Sequence, residues 1–167
     1  MTDDNTHEEY KENNLFKILT FGSDIPKELC TAGYILVYCV EGCAIMEVNS
    51  KKLPFRKGDT VIIFSNTLFK IKRISNLFKV RYFEMPYTFA DIELMEEDIK
   101  YLEWLHNHPI IKQTGDKEQN IGMWMSMMDW IKNNTSADTQ IMMYHNQWQN
   151  LLIGFVCVLK QMTDEIE

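Results

Sequence analysis

The sequence lacks the features that mark secreted and membrane proteins. Its polar opening, Thr2–Asn14, has neither the basic start nor the apolar stretch of a signal peptide. No apolar run approaches the roughly 18 residues that a helix needs to cross a bilayer. The four cysteines form no CxxC pair, so we expect reduced thiols rather than a disulfide framework. These absences predict a soluble cytoplasmic protein that does not contact a membrane.

Motifs that carry catalysis or cofactor binding are also missing. The seven glycines form no phosphate-binding loop, and no Ser-His-Asp or Cys-His set stands out. His106 and His108 lie two residues apart at a predicted helix end, where their side chains diverge and do not suit a shared metal ion. We therefore expect no enzyme activity, no metal and no cofactor.

Positive charge is scarce and unevenly distributed. The chain has a net charge of −7, which argues against a segment that grips nucleic acid on its own. Residues 50–81, however, contain nine basic side chains and one acid, Asp59. A solvated outer face of strands explains this excess. A docking patch for an acidic partner, or a preference for an anionic ligand, is the alternative.

Residues 15–88 show the pattern of short strands and turns. Tyr34–Val40 is a β-branched and aromatic run that stops before Gly42, and Ala44, Met46 and Val48 then alternate with other residues. Similar runs follow, with turn residues about every 8–12 positions. This spacing predicts a sandwich or barrel rather than a parallel α/β sheet.

The period becomes helical after residue 88. A first helix should end before Pro109, and a second should end at Asn133-Asn134. A third, capped by Ser136 or Asp138, should be long and amphipathic. The predicted organisation is a disordered acidic leader at 1–14, a β-barrel at 15–88 and a helical segment at 89–167.

The barrel segment resembles the cupin family, whose jelly roll carries two signature stretches. Gly42 and Gly58 stand at the family's glycine positions, and Asp59 follows the second glycine as it commonly does. The family's proline, glycine and histidine are replaced by Phe64, Asn66 and Phe69. The match covers about residues 33–85. It implies a mainly β protein with α, namely a cupin (double-stranded β-helix, jelly-roll) barrel followed by a three-helix C-terminal segment.

Metal-dependent cupins hold their ion with three histidines and a carboxylate on the inner wall of the barrel. In this chain the carboxylate position is Ile35, and the last histidine position is Phe69. The paired histidines fall near residues 28–31, where Glu28 and Cys30 are stray potential ligands. The resemblance therefore implies a barrel without a metal.

The degenerate barrel and the long third helix together resemble the N-terminal half of an AraC-type transcription regulator. In that family the barrel holds an effector, the helices form the dimer contact, and two helix-turn-helix units follow. We find no such unit here, so we expect an effector-sensing and dimerisation domain without its DNA-binding domain. The implied partners are a small-molecule effector (a sugar or an anionic metabolite), a second copy of the chain, and DNA through the missing domain alone.

Two other functions remain open at this point. One is a stand-alone metal-free cupin, either a sugar isomerase- or epimerase-like enzyme or a small-molecule binder. The enzyme needs an acid–base pair inside the barrel, and no inward histidine or carboxylate pair is evident from the sequence. The other is a purely structural dimeriser without a ligand.

Candidate site residues follow from the resemblance and from strand alternation. Arg73 and Tyr82 are the polar candidates that would orient a polar or anionic effector in an otherwise apolar pocket if both reach it; for Arg73, an outward position past the strand end is the alternative. For the apolar candidates, a packed core is the alternative. The third helix has a broad apolar face that suits a dimer contact, with burial inside the same chain as the alternative. The predicted ligand-binding residues are Ile35, Val37, Met46, Phe69, Ile71, Arg73 and Tyr82, and the predicted dimer contacts are Tyr144, Trp148, Leu152, Phe155 and Leu159.

Overall fold

A computed structural model describes residues 17–30, 33–64, 67–85, 99–111 and 117–166 of the chain. Within these ranges, eight strands come first, and three helices and a short strand follow. The described elements are β1 (Lys17–Phe21), β2 (Glu28–Leu29), β3 (Tyr34–Glu41), β4 (Cys43–Val48), β5 (Lys51–Arg56), β6 (Thr60–Ile63), β7 (Phe69–Ile74), β8 (Lys79–Met85), α1 (Ile99–Asn107), β9 (Ile110–Ile111), α2 (Lys117–Asn134) and α3 (Ala137–Ile166). The predicted order of strands before helices holds for β1 to β8, whereas β9 follows α1 and joins the larger sheet. The predicted leader at 1–14 and the start of the first helix lie outside the described residues.

The described strands form two antiparallel sheets. The larger sheet has the order β1-β8-β3-β6-β9, and the smaller sheet has the order β2-β7-β4-β5. The chain crosses repeatedly from one sheet to the other, as a jelly roll requires. Apolar side chains from the facing sides of both sheets form one buried cluster between them. The two sheets therefore enclose the barrel interior.

Tight turns join the strands where the sequence predicts them. Asn49 and Ser50 adopt positive φ angles of 50° and 65°, which a two-residue type I′ hairpin turn requires at both positions. Gly42 has a φ of 76° at the turn from β3 to β4. A Cβ atom there would lie 2.6 Å from Oγ of Ser75 and 2.8 Å from the Cα and N of Phe78. Gly42 is thus required both by backbone conformation and by space.

The larger sheet is buried on both faces. Along β3, Ile35 and Val37 point into the barrel, whereas Leu36 belongs to a second cluster on the outer face. The second cluster includes Met128 and Trp148, which come from α2 and α3. A strand buried on both sides is typically a continuous apolar run. This arrangement explains why residues 34–40 show so little polar alternation.

Polar contacts fix the helices against the sheet and against each other. Arg81 of β8 forms an ion pair with Asp129 of α2, and Nζ of Lys132 donates to the carbonyl of Ile18 at 3.3 Å. The indole of Trp124 donates to the carbonyl of Gln147 at 3.2 Å, which joins α2 to α3. None of the described helices is long and apolar enough to span a membrane.

The predicted helix ends are confirmed. α1 ends at Asn107, before Pro109, and α2 ends at Asn134. Ser136 caps α3, because its carbonyl accepts a hydrogen bond from the amide of Gln140 at 2.8 Å. Proline is incompatible with a helix interior, and a serine at the N-cap satisfies the first free amides.

Replacing Gly42 with alanine should destabilise the protein by at least about 2 kcal/mol, because the new methyl group meets backbone atoms and the positive φ is strained. Gly154→Ala is the matched control: nothing lies within 4 Å of a Cβ at this position in α3. Alanine there should raise the free energy of unfolding by about 0.5–1 kcal/mol. Urea denaturation measures both changes. Equal unfolding midpoints for Gly42→Ala and the wild type would contradict this description of the turn.

Candidate functional site: the barrel interior and the helical face

Side chains from both sheets fill the barrel interior. Five of the predicted ligand-binding residues lie there: Ile35, Val37, Met46, Phe69 and Ile71. None of the five exposes more than 4% of its surface. The rings of Phe55 and Phe78 also occupy the interior, with centroids 6.4 Å apart. Because so little space adjoins these side chains, the five residues form packed core, and their role in binding an effector stays a prediction.

Arg73 lies on the outside of the barrel. Strict alternation along β7 from Ile71 predicts an inward Arg73, but this side chain is exposed, and Ile74 packs against the interior cluster instead. The register shifts at this point, since Ile45 of β4 pairs with Arg73 whereas Met46 pairs with Ile71. A β-bulge of this kind adds one residue to a strand and reverses the facing of the residues after it. The structure therefore shows the outward placement that the sequence had left open, and it corrects the inclusion of Arg73 among the predicted ligand-binding residues of the interior.

Tyr82 lies at the interior wall, next to an acid. Its side chain is 5% exposed, and its ring packs edge-on against that of Phe21, with centroids 5.6 Å apart. The Tyr82 hydroxyl donates to Oε2 of Glu84 at 2.7 Å. Residues two apart on a strand share a face, so Glu84 also lies on the inward face of β8. Glu84 is absent from the predicted site residues, although the alternation from Val80 to Tyr82 extends to it.

The predicted dimer contacts on α3 divide into two groups. Tyr144 and Trp148 are 3% and 0% exposed, and their rings lie 6.0 and 6.1 Å from that of Phe83 on the larger sheet. Side chains that their own chain covers are not available to a second subunit, so the structure corrects these two predictions. The physical reason is that the apolar outer face of the larger sheet must be covered. The side chains of Leu152, Phe155 and Leu159 lie outside the described residues.

An apolar stripe remains exposed on α2. Met123, Met127 and Trp130 expose 69%, 47% and 56% of their surface, and their spacing puts them on one side of the helix. We call these three residues the α2 stripe. A different side of the helix carries Met128 and Ile131, which are buried against the sheet. The apolar residues of α2 therefore follow two stripes, of which the larger sheet covers one.

The outer face of the smaller sheet carries part of the basic excess. Across the strands, Glu28 is in register with Lys70, Lys70 with Glu47, and Glu47 with Lys52. Opposite charges therefore alternate, which favours strand pairing. Nζ of Lys70 lies 3.8 Å from Oε1 of Glu28, and Nζ of Lys72 lies 3.6 Å from Oε2 of Glu47. These side chains form a solvated face, as predicted, and a docking role for this face stays a prediction.

Comparison with known proteins finds likeness in structure and not in sequence. No family model matches this chain, and no curated protein matches it. A cupin protein from Bacteroides fragilis covers 49% of this chain and 71% of its own, with 12% identity and a TM-score of 0.37. The AraC-like transcriptional activator CuxR covers 83% of this chain and 48% of its own, with 10% identity and a TM-score of 0.51. The fold is that of a cupin barrel followed by helices.

A further solved structure is similar to this chain to a smaller degree. ToxT from Vibrio cholerae O395 covers 84% of this chain and 58% of its own, with 7% identity and a TM-score of 0.44. The match to CuxR covers 48% of that protein, so this chain spans about half the length of CuxR. At such low identity the likeness concerns the fold alone.

The described part of the cupin barrel lacks the side chains of a metal centre. Ile35 and Phe69, which stand at the family's carboxylate and histidine positions, are buried apolar residues of the interior. The stray candidates Glu28 and Cys30 are exposed. Among the described residues, no three His, Cys, Asp or Glu side chains are grouped so that they could hold a metal ion.

The Tyr82–Glu84 pair suits hydrogen bonding rather than proton transfer. Burial first, and then the hydrogen bond to Glu84, raise the pKa of Tyr82 above its usual range. A general acid works best with a pKa near the working pH, and this direction of shift moves the phenol away from that range. Glu84 brings an acceptor to the barrel wall, so the charged group identified on the inward face is an acid rather than the predicted Arg73.

The raised pKa of Tyr82 should lower the stability of the protein in alkaline solution. The phenol of the unfolded chain ionises near its ordinary pKa of 10.0, whereas the folded barrel keeps it protonated to higher pH. The stability that this group contributes is therefore complete below pH 10.0. Above that pH it is lost by up to about 1.4 kcal/mol per pH unit. In Tyr82→Phe, the loss of stability between neutral pH and about pH 11 should be smaller.

Chemical denaturation at the two pH values measures this difference. Tyr101→Phe, on α1 outside the barrel, is the matched control, because it removes a phenol hydroxyl and leaves the Tyr82–Glu84 hydrogen bond in place. If Tyr82→Phe and the wild type lose stability equally over this range, the phenol is not buried in the way described.

Proposed function

We propose that this chain is the effector-sensing and dimerisation part of an AraC-type transcription regulator, whose DNA contacts are made by helix-turn-helix units outside this chain. The supporting observation is the extent of the likeness to CuxR, which spans 83% of the chain and thus includes helices as well as the barrel. The net charge of −7 also fits a part that does not itself hold DNA.

A second copy of the chain is the proposed occupant of the α2 stripe. Exposed apolar side chains grouped on one helix face mark interaction sites more often than isolated ones do. A two-fold contact needs a surface that complements itself. With Met127 near the two-fold axis, antiparallel α2 helices would bring Met123 of one subunit against Trp130 of the other, and sulfur–aromatic contacts of this kind are favourable. In this proposal the α2 stripe takes the place of Tyr144 and Trp148, the buried residues of α3 that the sequence had predicted as dimer contacts.

The effector is proposed to bind at the barrel wall beside Tyr82 and Glu84. The interior is tightly packed, so binding requires apolar side chains to move aside, and the effector selects the conformation in which they do so. Because α2 and α3 pack on the other face of the same sheet, such a movement would reach the helices. Glu84 accepts hydrogen bonds, which favours an effector rich in donor groups over the anionic one considered from the sequence.

The sequence of the source gene beyond the codon for Glu167 tests the regulator assignment directly. We expect the reading frame to continue into two helix-turn-helix units. A stop codon at that point would contradict the proposal and would favour a free-standing cupin.

The dimer contact is tested by Met123→Glu, which places a charge in the α2 stripe. Charges are depleted in the centres of interfaces, so we expect the dimer dissociation constant to rise at least about tenfold, equivalent to about 1.4 kcal/mol. Leu77→Glu is the matched control, because Leu77 and Met123 both expose 69% of their surface and Leu77 lies in the turn between β7 and β8. Sedimentation equilibrium measures the dissociation constants.

The control should dimerise as the wild type does. A monomeric wild type, or equal weakening by the two substitutions, would contradict the placement of the dimer contact on α2.

A further inference from the structure

A cleft of about 380 Å³ lies outside the barrel, between the smaller sheet and the end of α1. Its volume falls in the range of small-ligand sites, about 300–1,000 Å³. The cleft is distinct from the barrel interior, because Glu47 and Lys70 contribute to its wall from the outer face of the sheet. Its polar lining consists of Glu47, Asn49, Ser50, Thr67, Lys70 and His106.

Two opposite charges lie side by side in this cleft. Glu47 of β4 and Lys70 of β7 are directly opposite in the strand register, which places their Cβ atoms about 5 Å apart. A ligand with a single negative charge would approach the Glu47 carboxylate as well as the Lys70 ammonium. The carboxylate would repel such an anion. A ligand with a single positive charge would be repelled by the Lys70 ammonium in the same way. A ligand that carries both charges can pair each of them with its opposite.

The present partners of these two groups are weakly held. The Lys70–Glu28 and Lys72–Glu47 ion pairs, at 3.8 and 3.6 Å, are longer than the roughly 3.2 Å limit of a good hydrogen bond. Ion pairs at a surface contribute little to stability. Shorter charge-assisted hydrogen bonds to a ligand would therefore replace them readily.

The rest of the lining suits a small polar molecule with a short side chain. Ser50 and Asn49 supply a hydroxyl and an amide from the hairpin turn. His106 lies on the opposite wall, and its ring packs edge-on against Phe64 with centroids 5.8 Å apart. Leu68, which is 46% exposed, adds an apolar contact.

We propose that this cleft binds a free α-amino acid as a zwitterion. Lys70 pairs with the carboxylate, Glu47 pairs with the ammonium group, and Leu68 contacts the side chain. The proposal does not depend on the regulator function, since it concerns neither the barrel interior, nor the α2 stripe, nor DNA.

Isothermal titration calorimetry with each standard free L-amino acid tests this site. The strongest binder is then compared with its analogue lacking the amino group and its analogue lacking the carboxyl group, which for L-leucine are isocaproate and isoamylamine. We expect both analogues to bind at least about tenfold more weakly, because each loses one charge-assisted contact. Lys70→Ala and Glu47→Gln should weaken binding of the amino acid by a similar factor.

Lys79→Ala is the matched control, because Lys79 is an exposed lysine at the start of β8 outside the cleft, and it should bind the amino acid as the wild type does. Thermal melts establish that each variant is folded before titration. Failure of every amino acid to bind overturns the proposal. Equal binding by the carboxylate-only analogue also overturns it, since the cleft would then recognise a simple anion. If Lys79→Ala weakened binding as much as Lys70→Ala does, the loss would come from the overall charge of the protein and not from the cleft, and the proposal would be overturned.

Discussion

The larger sheet carries apolar side chains on both of its faces, and the rest of the molecule depends on covering both. On one face, residues such as Ile35 and Val37 are covered by the smaller sheet, which closes the barrel. On the other, Leu36 and Phe83 are covered by α2 and α3. An uncovered face would expose a continuous apolar surface, which soluble monomers rarely tolerate. The helices are therefore part of the same folding unit as the barrel, and a movement in the sheet would be transmitted to them.

Trp148 shows how strongly this burial dominates. Its side chain is fully buried, and its indole N–H finds no acceptor among the residues that the structure describes. An unmade hydrogen bond of a buried donor costs about 1–3 kcal/mol. Burying an aromatic side chain of about 200 Å² contributes roughly 5 kcal/mol. The apolar contact with Phe83 and its neighbours therefore outweighs the polar cost, and α3 keeps this face against the sheet rather than offering it to a second subunit.

The polar groups with a potential role in recognition lie at two places outside the packed apolar clusters. Glu84 joins Tyr82 at the barrel wall, and Glu47 and Lys70 lie together on the outer face of the smaller sheet. A single β-bulge decides part of this distribution, because it turns Arg73 outward and brings Ile74 to the interior cluster. The bulge thus keeps the Arg73 charge out of the barrel, whereas Glu84 faces inward through the regular alternation of β8. The basic residues instead contribute to a solvated face with alternating charges.

The sequence by itself determined that a series of strands precedes the long helices, that a turn falls at Gly42, and where α1 and α2 end, because these depend on local backbone preferences and on periodicity. It also identified Ile35 and Phe69 as interior residues in place of metal ligands. The tertiary structure alone decided which side of each helix is buried, since α2 has two apolar stripes and the larger sheet covers just one of them. It likewise decided where alternation fails on β7, because a bulge arises from the pairing of two strands distant in sequence. The cleft at Glu47 and Lys70 has the same origin: strand register, and not sequence spacing, brings the two charges together.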